Sequence, residues 1–363
     1  MSCCVIFGGA GFIGTHLARH LLQTGRFSHI HIADIRRSEL EGIPGVTTSI
    51  TDVRDKIPLG LVPTAPTWIF NFAAIHREPG HDRPEYFETN LAGARNVCEF
   101  ATATGCDNLY FTSSISVYGP TNGPTTEEAP IQPSTPYGAS KYAAELIHEI
   151  WQREQSGRRL FVCRPGVIYG PGDPGNILRM IKAIRKGYFA YPGSANIYKS
   201  YGYIYGLLDS IDFVMDGGED FVCYNYVETP TQPLGEIVDE ARSHLKSKAL
   251  VLPVPQWILL PLAKLVQAVV GSRNPVHPVR VKKVATATHI VPQALLQRGF
   301  VFSYSFRESL QHWTAKRPVD FGFSESEQPP VASPRMVLNR APEAQITPIA
   351  KTVPRTKQAV GVD

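Results

Sequence analysis

The sequence predicts an α/β protein: a doubly wound parallel sheet with a smaller C-terminal lobe. Three observations carry that prediction. Short apolar runs alternate with segments of helical period from Cys3 to about Pro165. The first run, CVIF, leads directly into GGAGFIG, residues 8 to 14. After Gly170 the alternation gives way to loop-rich sequence.

CCVIF reads as a strand, Thr15 to Gln23 as a helix closed by Gly25, and HIHIAD as a second strand ending at Asp34. Together they make one βαβ unit. VTTSI is a short strand leading to Thr51 and Asp52, and the continuous apolar character of TWIFNFAA suits a sheet covered on both faces. A helix over about Tyr86 to Ala103, the strand NLYFTSS, a helix from about Pro136 to Gln155 and the strand RLFVCRP complete the series. Beyond it lie the loop GPGDPGN, the amphipathic segment ILRMIKAIRKG and a further strand at YNYV. The expected boundaries are a first domain over 1–169, rejoined by a strand near 222–228, a lobe over 170–319 and a disordered tail over 320–363. The tail is rich in Pro, Ser, Gln and Thr, and buries too little apolar surface to offset the entropy of ordering it.

Composition narrows the function classes. The chain has 363 residues, 43% hydrophobic and 19% charged, enough for a large core. A net charge of +4 with no basic stripe implies no nucleic-acid surface. The six cysteines show neither Cys-x-x-Cys nor disulfide-framework spacing, so a reducing cytoplasm and no metal centre are expected. No export signal is read at the N-terminus. QWILLPLAKLVQAVV, residues 256 to 270, is interrupted by Pro261 and Lys264 and is too short to span a bilayer. It reads first as a helix packed on the lobe, and second as a peripheral membrane contact aided by Arg280, Lys282 and Lys283.

The chemistry-bearing residues fall at strand ends. In a strand-turn-helix unit, Gly8 permits the tight turn, Gly11 admits a pyrophosphate to the backbone, and Gly14 lets the helix pack on the sheet. Asp34, at the end of the second strand, stands where a carboxylate binds ribose hydroxyls, which favours NAD over NADP. Arg36 and Arg37 are placed to accept an extra phosphate instead. In PYGASKYAAE, Tyr137 and Lys141 are four apart and share a helix face. A tyrosine that accepts a proton from an alcohol near neutral pH needs its phenol moved from about 10 to about 7, roughly 4 kcal/mol. One ammonium about 4 Å away, at an effective dielectric of about 20, supplies approximately that much. In FTSSISVYG, Ser114 lies just past the fifth strand, where its hydroxyl could bridge a substrate oxygen and Tyr137.

Together with TDV, NFAA, TNLAGARNV and CRPGVIYGPG, these motifs occur in the order found in extended short-chain dehydrogenases/reductases. Over about Cys3 to Pro318 the chain resembles their NAD-dependent epimerase/dehydratase family, which acts on nucleotide-diphosphate sugars. The resemblance implies a Rossmann fold and bound NAD. It places Phe12 and Ile13 beside the pyrophosphate, Asp52 and Val53 at the adenine, and Phe72, Ala73 and Asn90 along the cofactor groove. Ser114, Tyr137 and Lys141 become the catalytic triad. The helices at 90–103 and from Pro136 would form a four-helix homodimer interface.

Members of the family that eliminate water carry an Asp-Glu pair after the threonine of this strand end. Here Thr112 is followed by Ser113 and Ser114, so dehydration is not expected. A 4-epimerase that retains NAD is the first expectation. A 4-ketoreductase or a 3β-hydroxysteroid-type dehydrogenase is the alternative, and a non-catalytic dinucleotide sensor the third. Two departures bear on substrate: Val167 replaces an Asn usual in UDP-hexose 4-epimerases, and RP followed by IYGPGDP resembles the steroid branch. By the same resemblance, Asn176, Lys199 and Arg280 would meet the diphosphate and Tyr191 the base.

Overall fold

The computed structural model describes residues 2–324 except 79, 122, 174, 256, 262 and 265–285. Strands β1 (Cys3–Phe7), β2 (His29–Asp34), β3 (Val46–Ile50), β4 (Trp68–Asn71), β5 (Asn108–Thr112), β6 (Arg159–Pro165) and β10 (Phe221–Tyr226) form one parallel sheet in the order β10-β6-β5-β4-β1-β2-β3. The order reverses between β1 and β4, so their C-terminal ends diverge into a crevice, the place where open α/β sheets bind ligands. The central strands are buried along their length because helices cover both faces.

Helix α1 (Phe12–Thr24) ends on Gly25, whose left-handed conformation returns its N–H to the Leu22 carbonyl. α2 (Arg83–Thr104) starts at an Asp82–Glu85 capping box. α3 (Pro136–Arg153) starts with Pro136 in its first turn and the Thr135 hydroxyl accepting from the Gly138 N–H. The lobe adds the pair β7 (Val167–Tyr169) and β9 (Tyr201–Tyr203), and the pair β8 (Tyr188–Pro192) and β11 (Leu250–Val254). Its helices are α4 (Asn176–Arg185), α5 (Ile204–Asp216), α6 (Leu234–His244), α7 (Gln293–Gln297) and α8 (Phe306–Lys316).

One boundary differs from expectation. The ordered chain continues past 320 through a 3-10 turn over Pro318–Phe321, where Phe321 is buried edge-on against Trp313 and the Trp313 indole donates to Asp320 at 2.8 Å. One aromatic at the end of a polar stretch anchors the turn without any periodic signal. The rest of the expected tail, 325–363, lies outside the described residues.

Candidate active site

The glycine turn is dictated by contact. Gly8 has φ +74°, and a Cβ there would stand 2.6 Å from the Ala73 nitrogen. At Gly14 a Cβ would stand 2.6 Å from the Gly9 Cα, so α1 approaches the turn only without one. α1 begins at Gly11 with no side-chain cap and no acidic residue in its first turn. Its first amides and the positive end of its dipole are thus left for an anion. Phe12 and Ile13 form that turn, and Phe72 and Ala73 leave β4 directly beside Gly8.

At the tip of β2, Asp34 is buried. Its two oxygens accept from the Ala10 and Arg36 N–H groups at 3.1 and 3.0 Å, tying the strand end to the glycine turn. The exposed Arg36 guanidinium lies 3.7 Å from the same carboxylate. Asp52 holds Arg54 through its guanidinium and backbone N–H, which keeps its carboxyl below the usual range. Val53 is buried against Gly93 of α2. Asn90 is buried and structural in its contacts: it accepts from the Ile75 N–H at 2.9 Å and donates to the Ser140 hydroxyl at 2.8 Å. It thereby joins the loop after β4 to α3. These residues fit a dinucleotide lying along the C-terminal sheet edge, with phosphates at α1 and ribose at Asp34.

Ser114, Tyr137 and Lys141 converge at the end of β5. Ser114 is buried, accepts from the Ser116 N–H at 3.1 Å and shares a hydrogen bond with the Tyr137 hydroxyl. Lys141, one turn after Tyr137, is buried with Nζ 4.2 Å from the centre of the Phe111 ring. The electrostatics differ from the expectation that the ammonium alone brings the phenol to about 7. Burial pushes Tyr137 up to about 12, against the lowering hydrogen bond from Ser114, and Glu78 adds to the rise. Burial likewise pushes Lys141 down to about 7, with Glu145 opposing. The expectation counted the attraction between the two groups and omitted the cost of desolvating them.

Sequence reasoning missed the network behind this face. Arg164 of β6 grips Glu145 of α3 through two bonds, at 3.0 and 2.7 Å, and donates to the Tyr118 hydroxyl at 2.9 Å; that hydroxyl donates to Asn225 of β10 at 2.8 Å. Both charged groups are buried, so removing either strands the other. Tyr137, Lys141 and Glu145 are spaced i, i+4, i+8, and that spacing was the available signal. His148, one turn further, stacks on Phe111 at 4.1 Å and is pushed down to about 3 by burial, so it stays neutral.

The expected substrate residues scatter. Lys199 is buried, and its ammonium bonds the Thr286 carbonyl. The β7–β9 pairing sets the neighbouring Ser200 carbonyl against the Val167 N–H, beside the end of β6. Tyr191 is packed in the lobe core edge-on to Phe189, 5.5 Å between centroids. Asn176 is exposed at the start of α4 and accepts from Arg179 at 3.3 Å. Arg280 lies outside the described residues, as do 265–270 of the apolar segment.

Residues 4–225 match the model of the NAD dependent epimerase/dehydratase family. Among curated proteins, the chain is 29% identical over 311 residues to the N-acetyl-alpha-D-glucosaminyl-diphospho-ditrans,octacis-undecaprenol 4-epimerase of Escherichia coli O157:H7, covering 84% of this chain and 92% of that protein. It is 35% identical to UDP-glucose 4-epimerase 4 of Oryza sativa subsp. japonica over 160 residues, 39% of this chain and 43% of that one. Among solved structures, MoeE5 in complex with UDP-glucuronic acid and NAD superposes with a TM-score of 0.68 at 20% identity, over 87% of this chain and 99% of that one. The UDP-glucuronic acid 4-epimerase from Bacillus cereus in complex with NAD gives a TM-score of 0.68 at 17% identity, over 85% and 96%. At such identities the structural likeness speaks for the fold alone.

Proposed function

The chain belongs to the NAD dependent epimerase/dehydratase family, and from that premise we propose that it inverts C4 of a sugar carried on a diphosphate. The observation that carries this reading is the buried Ser114–Tyr137 hydrogen bond with Lys141 one helical turn away, at the sheet edge where the glycine turn also ends. The 4-epimerase relative that covers most of the chain supports it. So do Ser113 and Ser114 in place of an Asp-Glu pair.

When bound, NAD supplies the acceptor and donor for the C4 hydride and a positive ring charge. The protein's part is proton handling and positioning. Tyr137 takes the proton from the C4 hydroxyl and later returns it, Ser114 holds the same oxygen by its hydroxyl, and Lys141 stabilises the phenolate. Bringing the phenol from about 12 to about 7 takes roughly 7 kcal/mol, more than one partly charged lysine provides. Positive charge brought near the ring favours the phenolate that burial disfavours. Inversion then requires the oxidised sugar to present its other face before the proton is returned. Asp34 serves the adenosine ribose. Lys199, buried beside the β7–β9 pair, is the candidate for the diphosphate; Asn176 is exposed at the start of α4, and Tyr191 is packed in the lobe core.

A cytoplasmic location is supported by the six free cysteines. Homodimerisation through α2 and α3 is supported by Leu146 and Ile150, exposed one turn apart on α3; unchanged sedimentation of Ile150→Asp would remove that interface. The function is tested in deuterated water without added nicotinamide, using UDP-hexoses and UDP-N-acetylhexosamines first. A C4 epimer with no solvent deuterium at C4 is expected. Deuterium at C3 or C5, or product only in proportion to added NAD or NADH, overturns the reading in favour of proton abstraction or of a reductase.

A further inference from the structure

In the β8–β11 ribbon, parallel pairing sets Leu250 beside Tyr188 and Leu252 beside Ala190. The intervening Phe189 and Val251 pack on the core, so the paired residues share the opposite, outward face. That face is apolar where a solvated ribbon carries polar side chains: Leu250, Tyr188 and Leu252 are 61%, 58% and 51% exposed. Directly after β11, residues 257–261 are helical, with Trp257 75% exposed and Ile258 beside it also exposed. Exposed apolar side chains gathered in so short a stretch of chain mark a contact surface.

Charge identifies what the surface meets. Residues 241–307 hold five lysines and five arginines but no aspartate or glutamate, in a chain whose net charge is only +4, so the remainder is net negative. Lys186 lies two residues before β8, Lys246 and Lys248 four and two residues before β11, and Lys264 is helical seven residues after Trp257; all four are exposed. Arg242 and Arg298 are paired with Asp239 and Glu219, which leaves the four exposed lysines around a tryptophan and aliphatic side chains, and this combination matches an anionic lipid headgroup layer over an acyl boundary. The far end of the ribbon, where the Gly193 N–H meets the Val254 carbonyl, lies six residues before Lys199 in the chain.

We propose that this face docks the enzyme on an anionic bilayer, so that the sugar diphosphate it acts on is one held at the membrane by a polyprenyl carrier. The substrate clause rests on the 4-epimerase reading; the docking does not. No helix among the described residues is long and apolar enough to cross a membrane.

The test is flotation of the full chain with sugar-free vesicles of phosphatidylcholine containing phosphatidylglycerol. Binding is expected on these, weaker on pure phosphatidylcholine, and reduced in high salt, since each cation near an anionic leaflet contributes roughly fivefold. The paired variant Lys246→Ala/Lys248→Ala should bind at least fivefold more weakly, and Leu252→Ser/Trp257→Ser should lose most binding. Both should keep their circular dichroism, melting temperature and turnover of a soluble UDP-sugar. Failure of the wild type to float, or equal flotation of folded variants, overturns the proposal. So does a concentration-dependent dimer lost in the same variants, which would make a second copy the occupant. Because the vesicles carry no sugar, failure of docking leaves the C4 chemistry standing, and loss of the C4 chemistry leaves docking standing.

Discussion

The sheet half, up to Tyr169, and the lobe that follows treat polar groups in opposite ways. At the sheet edge the groups singled out above are held by named partners: Asp34 by two backbone amides, Ser114 by Tyr137 and the Ser116 N–H, Glu145 by Arg164. In the lobe, the lysines flanking the β8–β11 ribbon are exposed and apolar side chains face outward on it. Moving a proton requires atoms fixed to tenths of an ångström, and few residues at few spacings achieve that. Settling on a fluid surface requires only an average of charge and apolarity, which many sequences satisfy.

The comparison breaks most visibly at Tyr137. Tyr137→Phe keeps the ring and removes the proton acceptor, so turnover should fall by at least about 100-fold with cofactor binding retained. Near-normal turnover would show that the sheet edge is not where the proton moves. Smaller is the effect at Asp34. Asp34→Ala should weaken NAD about tenfold, as expected for one lost charge-assisted contact, and NADP less, because Arg36 is then free of its carboxylate; titrating both cofactors decides it, and unchanged NAD affinity removes Asp34 from the site.

The smallest effect lies at the seam between the two regions. There Glu228, just past β10, accepts from the Tyr169 hydroxyl. Burial pushes Glu228 up to about 8 from an ordinary 4.5. The folded state then holds a proton that the unfolded state releases, so this group's contribution is full below about 4.5 and is lost as pH rises through 8. Glu228→Gln cannot titrate. Its melting temperature should therefore gain on the wild type between pH 5 and pH 8.5, and parallel curves would show that Glu228 is ionised throughout.

The sheet was legible in the sequence because its strands are continuous apolar runs and its first turns are fixed by glycines that tolerate no Cβ. α3 was legible through Pro136 and its amphipathic period. The lobe pairs β7–β9 and β8–β11 were not, since strands of three to five residues among Pro and Gly carry no periodic signal. Tyr191 illustrates the same gap: nothing in YFAYP distinguishes a ring that packs in a core from one that meets a ligand. Ser114, Tyr137 and Lys141 stand out in the sequence by motif and spacing, but the shifts that burial imposes on the phenol and the ammonium do not, because burial depends on Phe111 and the rest of the sheet and not on neighbours in sequence. Arg164 and Glu145 escaped notice for a related reason, as they lie far apart in the chain and meet only after β6 pairs with β5.

The chain of contacts from Glu145 through Arg164 and Tyr118 to Asn225 also sets a rule for synthesis. Its last member belongs to β10, which the ribosome delivers only after β8, β9 and α5 have been made. Until then β6 is an open sheet edge, free to pair with another chain. The helix that carries Tyr137 and Lys141 is braced on its inner side, but the Tyr118 hydroxyl lacks its final acceptor. A nascent chain that has emerged only as far as Tyr169 therefore displays Ser114, Tyr137 and Lys141 and still has an unfinished floor beneath them; the strand that closes the edge is also the one that completes the brace.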